Sequence, residues 1–197
     1  MIRGLILFLS MCLLTWSTQA EPIRDWSCES PLTEHFDPQR IWGGPLPAAL
    51  PENWTADPEV ATVVGYAANP ENPPRAGSRR ISAFAAGLQD ARTERLLAVY
   101  AGLLDESDTL RGFLIEGIRD YVLRAKILRE SADNHQRRLD TLAADADQTQ
   151  RDGYRQARFW DERNLDDALE EAEFLCHRYA YLDKKLRQLT AAIREAL

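Results

Sequence analysis

The sequence predicts an all-α protein, and three observations carry that prediction. Every one of its 10 prolines lies at or before Pro74, so the remainder is free of the residue that breaks helices. From Leu165 onward, Leu165, Ala168, Ala172, Leu175, Tyr179, Leu182, Leu186, Leu189, Ile193 and Ala196 follow one another in alternating steps of three and four, a heptad seam held over four repeats. A matching stripe precedes it: Leu114, Ile118, Tyr121, Ala125, Leu128, Ala132, His135, Leu139, Leu142 and Ala146. The expected architecture is an elongated antiparallel helical hairpin or three-helix bundle, carrying a Pro/Trp-rich irregular strap at its N-terminal side.

Residues 1–20 read as a secretory signal peptide. Arg3 leads into an apolar run from Leu5 to Trp16, and Ser17-Thr18-Gln19-Ala20 supplies a cleavage-type end. The run is shorter than the roughly 20 residues a spanning helix needs, so no transmembrane anchor is expected after cleavage. A lipoprotein reading of Leu9-Ser10-Met11-Cys12 is set aside because Met11 is bulky where a small residue belongs. The expected location is periplasmic or extracellular, for a bacterial host. Cutting after Ala20 leaves Cys28 and Cys176 as the remaining cysteines, and in an oxidising compartment these are the natural disulfide pair.

Residues 21–77 form the strap. They contain Trp26, Trp42 and Trp54, the pair Gly43-Gly44 and the run Asn69 to Pro74. Proline density rules out a long helix, while the tryptophans argue against plain disorder. The expectation is an irregular segment docked on a helical body and fastened through Cys28. Val60 to Tyr66 is rich in β-branched residues and predicts a short strand.

Residues 78–197 form the helical domain. A first helix is expected over about Arg79 to Leu104, with Ile81, Phe84, Leu88, Leu96, Val99, Tyr100 and Leu103 on its apolar face. Asp105-Glu106-Ser107-Asp108 offers cap-type residues for a turn; the alternative is one very long helix through that point. Asp147 to Gly153, polar and closed by a glycine, predicts the turn between the two long helices. Folding there brings Arg129 towards Glu170 and Glu171, and Arg137 and Arg138 towards Asp161, Glu162 and Asp166.

The chemistry-bearing residues are few. Adjacent helical residues point about 100° apart, so the sequence neighbours Cys176 and His177 do not make a dyad. Glu173 and His177, four apart on one face, are the nearest approach to a metal pair, but one imidazole without a second donor helix suits a solvated acidic face better. No cofactor is implied. His135 lies in the seam, where a polar residue sets register. The chain has 24 basic and 31 acidic residues, and losing Arg3 with the leader takes the net charge to about −8, which argues against nucleic acid. The basic triplet Lys184, Lys185 and Arg187 is accounted for by the C-terminal dipole of its own helix.

These features favour an exported helical interaction or scaffold protein without catalytic chemistry, acting on a protein partner of the cell envelope or on a second copy of itself. The alternative is a small-ligand-binding or sensor domain with a pocket between strap and helices, lined by Trp26, Trp42, Trp54 and Tyr100. An enzyme using Cys176, His177 and Glu173 ranks last.

Overall fold

The computed structural model describes Cys28 and residues 31–197. The leader, its cleavage point and Trp26 lie outside the described residues. Within them every regular element is helical and there is no strand, so the protein is all-α. The elements are α1 (Pro38–Trp42), a single 3-10 turn (Trp54–Ala56), α2 (Pro58–Ala68), α3 (Pro74–Gly87), α4 (Arg92–Thr141) and α5 (Gln148–Ala196).

The prolines of the N-terminal segment start helices. Pro38, Pro58 and Pro74 are the first residues of α1, α2 and α3, where the missing N–H would have had no intrahelical partner and the fixed φ suits a helix. Aspartates precede two of them. Asp37 accepts from the Gln39 and Arg40 N–H groups at 2.9 and 3.3 Å, and Asp57 accepts from those of Glu59 and Val60 at 3.0 and 3.3 Å. The strand expected at Val60 to Tyr66 is therefore corrected to part of α2, whose Val60, Val63, Val64 and Ala67 are buried at helical spacing. The compositional boundary after residue 77 falls inside α3.

The helix expected over Arg79 to Leu104 is divided at Leu88 to Ala91 instead of being closed at Asp105 to Asp108. Ala91 holds a left-handed φ of 49° as α4 begins. Arg92 anchors the junction by donating from Nε to the Ala196 carbonyl at 2.7 Å and from Nη1 to the Ala85 carbonyl at 2.9 Å, placing a cation at the negative ends of α3 and α5. The cap-type residues further on are used by other segments. Asp105 accepts from the Trp54 indole N–H at 3.2 Å, and Asp108 accepts from the Phe36 N–H at 2.8 Å. Because neither turns back on its own backbone, α4 runs on for 50 residues, about 75 Å at 1.5 Å per residue.

The 49-residue α5 packs along α4 in the opposite direction. Arg111 meets Tyr179, Gly117 meets Leu175 and His135 meets Asp161. The connection is Leu142–Asp147, with the Asp147 side chain accepting from the Thr149 N–H at 3.2 Å. The turn predicted at Asp147 to Gly153 thus comes earlier, and Gly153 is helical. That displacement removes the charge pairs expected from a fold about residue 150. Among the described residues, Arg129, Arg137 and Arg138 make no ion pair; across the seam His135 Nε2 lies 3.5 Å from Asp161 Oδ2, and Arg158 donates to Gln136.

The core sits at one end. Residues of α2 and α3, the first half of α4 and the last third of α5 enclose it, with Val60, Val64, Ile81, Leu96, Leu103, Leu186, Leu189 and Ile193 essentially without solvent contact. Past Ile118 only Ala125 and Ala132 of α4 are buried, and before Tyr179 only Ala168 and Ala172 of α5. The molecule therefore has a packed helical head and a two-helix arm. No described helix is long and apolar enough to cross a membrane.

Candidate functional site

Cys28 and Cys176 form a disulfide, with Cα atoms 5.4 Å apart across a sequence separation of 148. The bond pins the N-terminal segment to α5 three residues before Tyr179, and the chain then runs over the α4–α5 seam. Its Thr33 N–H donates to the Tyr179 hydroxyl at 2.9 Å. Phe36, buried, covers the seam from above.

Beneath this crossing lies Arg111 of α4, only 7% exposed. Its guanidinium is held between two aromatic faces, 3.9 Å from the Phe36 ring centre and 4.5 Å from that of Tyr179. Nε donates to the Tyr179 hydroxyl at 2.9 Å, and Nη2 donates to that hydroxyl and, at 2.7 Å, to Thr33 Oγ1. Cation–π contact in such a desolvated place is worth roughly 2 kcal/mol, against a cost of several kcal/mol for taking a charge out of water without a counter-charge. Among the described residues no carboxylate lies within ion-pair distance of Arg111. The guanidinium faces a cleft of about 430 Å³ between the N-terminal segment and α5, which Arg40, Asp37, Asp183 and Arg187 also line.

A second buried cation has a different setting. Lys185 of α5 is 2% exposed, and its ammonium donates to the carbonyls of Asn69, Asn72 and Ala68 at 2.6, 3.0 and 3.3 Å. It closes the C-terminal end of α2, where carbonyls are otherwise unpaired and the dipole is negative. Burial lowers its pKa from the ordinary lysine value. The dipole explanation for this basic triplet is thus corrected for Lys185: the dipole it meets belongs to α2, not to its own helix.

The tryptophans of the N-terminal segment are packing residues where the structure describes them. Trp42 and Tyr100 are buried against each other with ring centres 4.9 Å apart, and the Tyr100 hydroxyl donates to the Pro38 carbonyl at 2.6 Å. Burial pushes the Tyr100 phenol well above the usual tyrosine range. Trp54, partly buried, lies against Gly102, whose missing side chain admits the indole: a Cβ there would come 2.8 Å from Trp54 Cδ2. The aromatic wall of the Arg111 cleft is made by Phe36 and Tyr179, while Trp42 and Tyr100 fill the core beside it.

Glu173 and His177 approach to 3.6 Å on the outside of α5, both largely exposed. Among the described residues no three His, Cys, Asp or Glu side chains come close enough together to hold a metal ion. His177 shares the outer side of α5 with Phe174 and Tyr181, also exposed. Further along the arm, Phe159 and Trp160 stand edge to face at 5.4 Å with 59% and 53% exposure, and Leu123 and Ile127 of α4 are 58% and 57% exposed.

No protein-family model matches this chain, and no curated protein or solved structure shows a significant similarity to it.

Arg111 was missed by the sequence reading and Lys185 was read only as part of a basic triplet, although each stands beside an apolar stripe. Stepping back three residues from Leu114 along the first stripe lands on Arg111, and Lys185 stands three after Leu182 on the second. A cation on an apolar stripe is the pattern that marks a buried charge with dedicated partners.

Proposed function

We propose that this is an exported helical interaction protein: a strapped hairpin whose head supplies stability and whose arm engages a protein partner. The observation that supports the reading is the set of large apolar side chains left on the arm's outer faces, Phe159, Trp160 and Phe174 on α5 and Leu123 and Ile127 on α4, all at least half exposed. Phe159 and Trp160 touch edge to face, and an exposed aromatic pair of this kind is typical of contact surfaces. On α5 they are interspersed with Asp166, Asp167, Glu170, Glu171 and Glu173, all exposed. Between Asp166 and Glu173 there are five acids and no base, so the partner that fits presents apolar side chains with basic ones beside them. Export through the residue 1–20 leader and an oxidising compartment agree with the disulfide.

The test is site-specific photo-crosslinking in the producing cell, with the probe at position 160 or 123 on the arm and at Arg79 on the head as a control. Adducts confined to the arm positions, and lost when Phe159 and Phe174 are changed to serine, are expected. Equal labelling at Arg79 would sink the reading. A homodimer abolished by Trp160→Asp would instead assign the face to a second copy.

A further inference from the structure

We propose that the cleft at Arg111 is a binding site for a small monocarboxylate with an apolar body, independently of the arm's role. The guanidinium is 7% exposed. Its Nε and Nη2 are held by Tyr179 and Thr33, which leaves Nη1 without a hydrogen-bond partner among the described residues. The neighbouring acids are already engaged. Asp37 caps α1 through the Gln39 and Arg40 N–H groups, Asp183 is bound to Arg187 at 2.7 Å, and Asp108 accepts from the Phe36 N–H. Among the lining residues Arg40, Arg111 and Arg187 stand against Asp37 and Asp183, and Asp108 lies just behind at the Phe36 N–H, so a singly charged carboxylate suits the cleft better than a phosphate dianion.

Geometry favours the same ligand class. A guanidinium pinned between two rings cannot turn, so Nη1 has a fixed direction in which to donate a charge-assisted hydrogen bond to one carboxylate oxygen. Phe36 and Ile41, both buried, give the cleft its apolar wall, and a volume of about 430 Å³ suits a body the size of a single aromatic or branched aliphatic group. The carboxylate could belong to a free acid or to the C-terminus of a peptide.

Calorimetric titration of the purified, disulfide-intact protein decides this. The probes are phenylacetate for a free acid, N-acetylphenylalanine for a peptide C-terminus, phenylacetamide as the uncharged control and inorganic phosphate. At least one of the two acids is expected to bind with a Kd below about 1 mM, with the amide and phosphate at least tenfold weaker. Arg40→Gln, an exposed change that leaves Arg111 and its aromatic clamp in place, is expected to weaken the acid severalfold. Arg111→Met, if it folds, removes binding altogether. Failure of both acids overturns the proposal, as does amide binding as tight as acid binding.

Discussion

Replacing Lys185 by methionine keeps the length and apolar stem of the side chain and removes the ammonium. The structure allows the consequence to be worked out. Three carbonyls, at the end of α2 and in the turn that follows it, lose their donor, two of them at 3.0 Å or closer. Hydrogen bonds to a charged group are worth about 1.5–3 kcal/mol each, and acceptors stranded in a buried place cost a similar amount. Opposing this, the variant no longer takes a charge out of water, the effect that lowers the lysine pKa. A net loss of about 2–3 kcal/mol follows, or roughly 5–10 °C in Tm for a chain of this size. The pH dependence has a defined sign. A folded-state pKa below the unfolded value of 10.5 means that the unfolded chain holds the proton more tightly, so stability gained from this group rises with pH and is lost as pH falls through the folded value. The stability difference between parent and Lys185→Met should therefore widen from neutral pH towards 10.5. Urea unfolding at pH 7 and 9.5 measures both effects. A variant as stable as the parent at both pH values would show that the carbonyls find water instead, and the account of Lys185 as the closure of α2 would be wrong.

Other expectations follow from the same contacts. Cys176→Ser opens a loop with a separation of 148 residues, and the chain-entropy relation puts the loss at up to about 5 kcal/mol; guanidinium unfolding with and without reductant should show that reduction lowers the parent towards the variant and leaves the variant unmoved. Tyr100 has its phenol pKa raised by burial, so its contribution is fully present below the unfolded value of about 10 and is lost as pH rises from there towards the folded value. Tyr100→Phe should flatten the decline in stability above pH 10, at the cost of the hydrogen bond to Pro38. Gly153→Ala should stabilise by about 0.5–1 kcal/mol, because the position is exposed and helical; a destabilised variant in thermal unfolding would place a turn there after all. Gly102→Ala should do the opposite, losing about 1–3 kcal/mol, since the new Cβ would meet Val64 and Trp54 at 2.8 Å.

Much of the architecture was legible because it is local. The two stripes needed only periodicity as far as Leu139 and Ala196, where a helix pattern repeated over many turns has no competing solution; Leu142 and Ala146, the last members expected of the first stripe, fall in the connection between the helices. Pairing Cys28 with Cys176 needed only counting. The short elements failed for a related reason. Val60 to Tyr66 has β-type composition, yet Asp57-Pro58 is a helix start and the buried positions recur at helical spacing, so capping and packing together outweighed propensity. At Asp105 to Asp108 four cap-type residues promised a turn, but Trp54 and Phe36 claim the two aspartates from outside the helix.

The sequence by itself determined helix content, the covalent link and the acidic net charge, since each depends on residues close in sequence or on composition alone. Tertiary structure alone decided where the long helices turn, which of the many cations are buried, and which apolar residues stay outside. Arg111 and Lys185 stand beside apolar stripes, but what holds each of them is settled only when Tyr179 and Phe36 close over the one and the carbonyl end of α2 meets the other. Those partners come from segments some 70 to 120 residues away, and their arrival depends on how the whole chain packs, which no local pattern encodes.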